Sequence, residues 1–414
     1  MQYPSPDQPF AVKAINRVGA FARRIGIGAS GFRAEDLMHE AAKKTGLSDF
    51  GDEGFIPGLQ ILVESLNEEA RLSTIGRIGA KDMLLTCLSN RLRIIDYRKE
   101  RPEVAQQSIE RPLFVIGLPR TGTTVFHELL AQDPNHRWPI TYEVADPFPP
   151  ARAESFLSDP RIPTVSKNLD QVETLAPGFR AIHPIGATMA QECIVLTSSQ
   201  FMSEQFGVMY YVPSYNAWLR AQSGSDAYRW HRMFLQHLQV DYSRPRWVLK
   251  SPGHLPFIQA LVDEYPNAAI VQTHRDPMQV IASLASFACS LHSAFSDDVD
   301  PLETAAQETE HYAAMLQAGM EQRARIEADE GPGRFFDVRF EDIVTRPLEV
   351  MEELYAHFGF EWSADVRDRM HDYLENHPRE KHGKHAYTLE QFGLSHEQHG
   401  PLFARYRDRF GLDS

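Results

Sequence analysis

The sequence is poor in cysteine, has no long apolar run and carries no excess of positive charge. Its 414 residues hold three cysteines, Cys87, Cys193 and Cys289, with no metal-ligand spacing. A disulfide framework is not implied, and the thiols read as small buried hydrophobes in a reducing compartment. Nowhere do 18 apolar residues run together, and the start MQYPSPDQPF lacks a charged region followed by an apolar core. Neither a membrane span nor a secretory leader is signalled, which makes the cytoplasm the expected location. The net charge of −14 opposes nucleic acid as a partner, since that requires a broad basic surface. Internal repeats and low-complexity tracts are also missing. What remains is a globular composition, 43% apolar, sufficient for a sizeable core.

The stretch Arg111 to Leu130, RPLFVIGLPRTGTTVFHELL, organises the chain. Leu113 to Ile116 form an apolar run bounded by Gly117. A turn rich in Pro, Gly and Thr follows, after which Val125, Leu129 and Leu130 recur at helical spacing. The pattern predicts strand, tight loop and helix. Such a helix start offers free N–H groups and partial positive charge to an anion, and Gly122 lets the backbone come close. Gly117, Gly122, Thr123 and Thr124 have nearly the phosphate-loop spacing GxxxxGK(S/T), but a Thr stands where the Lys belongs. Arg120 is the loop's cation. The loop therefore suits a phosphate or sulfate, yet lacks the lysine that kinases and ATPases set on the terminal phosphates.

Residues 1–110 read as a helical segment that packs on a main unit of residues 111–414. Phe10, Ala14, Ile15, Val18, Phe21 and Ile25 form an apolar stripe, with Lys13, Arg17 and Arg24 on the same helix. The expectation is a helix docked on the main unit; the alternative is a basic amphipathic helix over residues 10–26 that makes peripheral contact with a membrane. Ile61, Leu62 and Leu66, then Met83, Leu84, Leu88, Leu92 and Ile95, give two more helical patterns. Beyond the anion loop, Pro139, Pro147, Pro149 and Pro150 forbid a long helix, leaving a loop that carries Glu143 across the anion-binding face. The aromatic-rich segment from Phe201 to Trp218 is expected to be mostly core, with the wall of a hydrophobic acceptor pocket as the alternative.

Strand patterns follow at Trp247 to Leu249, Ala269 to Thr273 and Arg334 to Phe340, separated by helical patterns such as Pro256 to Glu264, with another at Pro347 to Phe358. This alternation predicts an α/β fold, a central parallel sheet flanked by helices. Functional residues belong just past the C-terminal strand ends, where Lys250 and Arg275 stand.

The loop PRTGTT (Pro119 to Thr124), Lys250, Arg275 with Ser283, and the late Gly383, Lys384 and His385 together resemble the sulfotransferases that use 3′-phosphoadenosine 5′-phosphosulfate, PAPS. The resemblance runs from about Leu113 to the C-terminus. It implies a P-loop-like fold in which Arg120, Thr121, Gly122, Thr123 and Thr124 hold the 5′-phosphosulfate. It further implies that Arg275 and Ser283, eight positions apart, grip the 3′-phosphate, with Gly383, Lys384 and His385 completing that site. Two separated cationic clusters suit a nucleoside with anionic groups at both ends. Arg120 and Lys250 would neutralise charge on the leaving oxygen, and the modest charge of a sulfuryl group makes metal-free transfer reasonable.

An acceptor hydroxyl must also lose a proton. Glu143 lies 23 residues after Arg120, near where protein-tyrosine and some heparan-type sulfotransferases place a catalytic glutamate. His254, in KSPGHLP, resembles the histidine of KTHLP in cytosolic small-molecule sulfotransferases, with two extra residues before it. His183 and His274 are further candidates. The expected activity is sulfuryl transfer to a hydroxyl or amine of a small-molecule or lipid-linked acceptor. A P-loop kinase or NTPase and a non-catalytic nucleotide-binding protein are the alternatives.

Overall fold

The computed structural model describes residues 8–26, 31–175, 185–377 and 387–412. Five strands form one sheet: β1 (Leu113–Ile116), β2 (His136–Arg137), β3 (Arg246–Lys250), β4 (Ala269–His274) and β5 (Phe335–Arg339). All pairs are parallel, in the order β2-β3-β1-β4-β5. The central position of β1 follows from its sequence. All four of its residues are buried, and an apolar run without alternation fits a strand covered on both faces. Phe114 and Ile116 pack on one side with Trp247, Leu249 and Ile270. Leu113 and Val115 pack on the other with Val248, Ala269 and Val271.

Among the described residues the N-terminal part holds four α-helices: α1 (Phe10–Arg24), α2 (Ala34–Thr45), α3 (Ile56–Glu68) and α4 (Thr74–Glu100). Leu59 and Leu62 of α3 and Leu84, Leu88 and Leu92 of α4 join the same apolar cluster as Phe114 and Trp247, so these helices share the core that lies on one side of the sheet. Ser73 caps α4 by accepting from the Gly76 N–H at 3.0 Å. Gly76 is needed as glycine, because a Cβ there would sit 1.8 Å from the Phe295 carbonyl oxygen.

The stripe on α1 has an unexpected orientation. The helix docks through a narrow face: Val12 and Asn16 are buried, Asn16 Nδ2 donates to Asp297 at 2.9 Å, and Arg23 Nη1 donates to Thr74 Oγ1 at 2.9 Å. The apolar stripe points away from the protein, with Phe10 83%, Val18 70% and Phe21 64% exposed. Sequence periodicity shows that a helix has an apolar face but not which face meets the protein. Among the described residues no helix is long and apolar enough to cross a membrane.

Candidate active site

The anion loop opens at the centre of the sheet's C-terminal edge. It leads directly into α5 (Thr123–Leu130), whose N-cap Gly122 is left-handed at φ 88°. Gly117 (φ 143°) can only be glycine: a Cβ would lie 2.2 Å from Thr273 Oγ1 on β4. Arg120 also has a left-handed backbone, φ 69°. The turn is braced by Thr121, whose hydroxyl lies 2.6 Å from both the Leu118 carbonyl and Thr273 Oγ1. Thr123 and Thr124 open α5, where free backbone N–H groups favour an anion. This tight loop, with glycine at both ends and Arg120 within it, fits a phosphosulfate group.

Two cations flank the loop. Lys250, the last residue of β3, pairs in register with Val115 of β1. It is buried and forms an ion pair with Glu192. Arg275 follows β4; its Nη1 donates to the Arg120 carbonyl at 3.2 Å, and its guanidinium lies over the Phe340 ring at 4.1 Å. Burial pulls its pKa below the usual arginine value. Ser283 is half-buried in the first turn of the next helix, Ile281–Phe295.

A cavity of about 460 Å³ runs from this loop into the protein. Arg120, Thr123, Thr124 and Arg275 stand at one end, and Val208, Met209, Leu284, Phe287 and Leu291 line the apolar remainder. Of the aromatic-rich segment, Phe201, Met202, Phe206, Tyr210 and Tyr215 are buried core, while Met209 reaches the cavity.

Glu143 and His254 lie off the cavity lining, as do Lys250 and Ser283, which stand behind the residues that form it. Glu143 is fully buried, both carboxylate oxygens bonded to Arg137 at 2.9 and 2.6 Å, and Oε1 also accepts from the Ile140 N–H at 3.1 Å. His254 is buried against Phe114, with Nδ1 2.6 Å from the Tyr228 hydroxyl. Burial holds its pKa well below the usual histidine value. His274 lies between Tyr406 and Asp337, at 2.7 and 2.8 Å. His183, Gly383, Lys384 and His385 fall outside the described residues.

Sequence reasoning found Arg120 and Arg275 but missed Glu192, Glu204 and His311, which also line the cavity. Glu204 and His311 are 107 residues apart in the chain and meet only in the fold. No local spacing could have paired them.

An anion loop at the centre of a parallel sheet, with cations at the adjoining strand ends, defines a group-transfer enzyme of the P-loop-like class. The profile of the sulfotransferase family matches residues 112–364, and the chain belongs to that family. This displaces the kinase, NTPase and non-catalytic alternatives. The chain is 27% identical over 346 residues to the omega-hydroxy-beta-dihydromenaquinone-9 sulfotransferase Stf3 of Mycobacterium tuberculosis, a match covering 80% of this chain and 82% of that one. Its structure is similar to sulfotransferase STF1 from Mycobacterium tuberculosis, with TM-score 0.80 and 30% identity over 90% of this chain and 99% of that one. Sulfotransferase STF9 from Mycobacterium avium gives TM-score 0.83 and 29% identity, covering 93% and 99%.

Proposed function

We propose that the enzyme transfers a sulfuryl group from PAPS to a hydroxyl of an apolar, lipid-like acceptor. The observation that carries this reading is the cavity, which has the anion loop at one end and Val208, Met209, Phe287 and Leu291 beyond it. An apolar chain in that space gains about 25 cal/mol per Å² removed from water, and its hydroxyl faces the loop. The menaquinone-type acceptor in the name of the relative fits the same chemistry.

In this reading Arg120, Thr121, Gly122, Thr123 and Thr124 hold the 5′-phosphosulfate, while Arg275 and Ser283, with Gly383, Lys384 and His385, hold the 3′-phosphate. Lys250 and Arg120 offset negative charge on the leaving phosphate oxygen. No metal is called upon. Residues 111–414 make up the reacting unit, since every cavity-lining residue falls between Pro119 and Phe340, and the helices of residues 1–110 pack on it.

The test is transfer of radiolabelled sulfuryl from PAPS to a panel of farnesol, decanol, phenol and soluble sugars. Labelling of the apolar alcohols is expected; labelling of sugars alone would sink the lipid-like acceptor, and no labelling at all would sink the reading of the site.

The outward stripe of α1 supports a peripheral membrane contact. On a chain of net charge −14, Lys13, Arg17 and Arg24 flank exposed Phe10, Val18 and Phe21, the pattern of a helix lying in an anionic lipid surface. Gln8 Nε2 donates to the Ser293 carbonyl at 2.5 Å, which sets this helix beside the helix whose Leu291 and Ala294 line the cavity. A bilayer at α1 would thus adjoin the acceptor end. The protein is expected to float with vesicles containing phosphatidylglycerol and to lose that binding in the Val18→Glu/Phe21→Glu variant, with no change in melting temperature. Equal flotation of both proteins would exclude α1 as the contact.

A further inference from the structure

Sulfuryl transfer to a hydroxyl needs a group to take the proton, and the cavity lining contains a carboxylate beside the turn that follows Lys250. Glu204 is 7% exposed and lines the cavity. Its Oε2 lies 3.0 Å from His311 Nε2. Its Oε1 is buried with no hydrogen-bond partner among the described residues. A buried carboxylate oxygen without a donor is costly, and native proteins rarely leave one so unless a ligand completes it. Oε1 is closed to a water-sized molecule here, and a turn of the side chain toward the cavity would let an acceptor hydroxyl serve as that donor.

The surroundings hold Glu204 in position. His311 is fixed on its other side, with Arg220 Nη1 3.1 Å from Nδ1. Glu308, one turn earlier on the Pro301–Glu330 helix, is buried as well. Burial pushes its pKa up to about 7, which reduces the repulsion a second full charge would exert on Glu204.

Gly253 makes the room. A Cβ at that position would lie 3.1 Å from Glu204 Cγ and 3.0 Å from Ile194 Cγ2. Gly253 is three residues past Lys250, so the turn after β3 links Lys250 to Glu204 through consecutive residues. His254, which follows the same SPG turn, packs against Phe114 and Tyr228 instead of lining the cavity. The other carboxylates are committed: Glu143 to Arg137 and a backbone N–H, Glu192 to Lys250.

Resting on the sulfuryl-transfer reading of this site, we propose that Glu204 Oε1 is the base that accepts the acceptor's proton, with His311 as its positioning residue. The acceptor oxygen forms a bond to sulfur as the bond from sulfur to the donor's bridging oxygen breaks. That electron pair leaves with the phosphate, and the hydroxyl proton ends on Glu204. No oxidant, reductant or further reactant is needed.

The test uses the full chain with radiolabelled PAPS and with farnesol and decanol as acceptors. Glu204→Gln keeps size and one hydrogen-bonding oxygen but cannot take the proton. Its kcat is expected to fall about 100- to 10,000-fold, with affinity for 3′-phosphoadenosine 5′-phosphate within twofold of wild type. Glu204→Asp keeps the charge and should lose less. His311→Ala should lower kcat with little change in KM for PAPS. His311→Gln, which restores an N–H toward Glu204, should recover much of the loss, a rescue that a merely structural role would not give. Near wild-type turnover in Glu204→Gln, or a larger loss in Glu143→Gln or His254→Asn at intact nucleotide affinity, overturns the assignment. These results differ from failure of the underlying reading, in which the wild-type protein itself labels no acceptor.

Discussion

Lys250→Met is expected to lower kcat about 100- to 1000-fold while affinity for 3′-phosphoadenosine 5′-phosphate falls much less. The methionine keeps the length of the side chain and removes its charge. Lys250 ends β3 next to the anion loop, and burial keeps it out of water, so its ammonium acts in a medium where charge is poorly screened. A charge needed as the leaving oxygen becomes negative acts mainly in the transition state, and its loss appears in kcat. The substitution also strands Glu192, whose side chain is 12% exposed, so some stability is lost with it. Adding Glu192→Gln should restore the stability and leave turnover low. Initial rates and denaturant melts on the single and double variants separate the two effects, and near-normal rates in Lys250→Met would remove that residue from the chemistry.

Arg137→Met is expected to destabilise the fold by about 3–5 kcal/mol, because it leaves the Glu143 carboxylate buried without its counter-ion. Both partners are fully buried. The guanidinium also lies 4.5 Å from the Phe156 ring centroid and 4.8 Å from those of Tyr242 and Trp247. Replacing both partners, in Arg137→Met/Glu143→Leu, should recover most of the loss, since paired burial has little net value over an apolar contact of similar volume. Urea unfolding measures this directly. Glu143→Gln should likewise lose stability but keep the turnover of whatever protein remains folded, the opposite signature to that of a base.

These cases show how much the sequence could disclose. Local patterns were legible: the run Leu113–Ile116, the glycines of the loop, and Lys250 and Arg275 just past strand ends all depend on neighbours within a few residues. The two-residue strand β2 was too short to produce a pattern. Glu143 stands near the position expected of a catalytic glutamate, but its partner Arg137 turns it inward, and a sequence does not reveal which charges neutralise each other. Glu204 and His311 lie in an aromatic-rich segment and on a long helix, where nothing local marks them. The apolar stripe of α1 was visible at once, and its direction was not.

The position of β1 has a consequence during synthesis. Its hydrogen-bonding neighbours are β3 and β4, and β3 ends at Lys250, so the anion loop's strand emerges from the ribosome roughly 130 residues before either flank exists. At about 5–20 residues per second that strand spends about 6 to 26 seconds as an unpaired, wholly apolar segment. Until β3 arrives, the stretch that organises the finished enzyme has no partner strand, a state in which an apolar segment is open to aggregation.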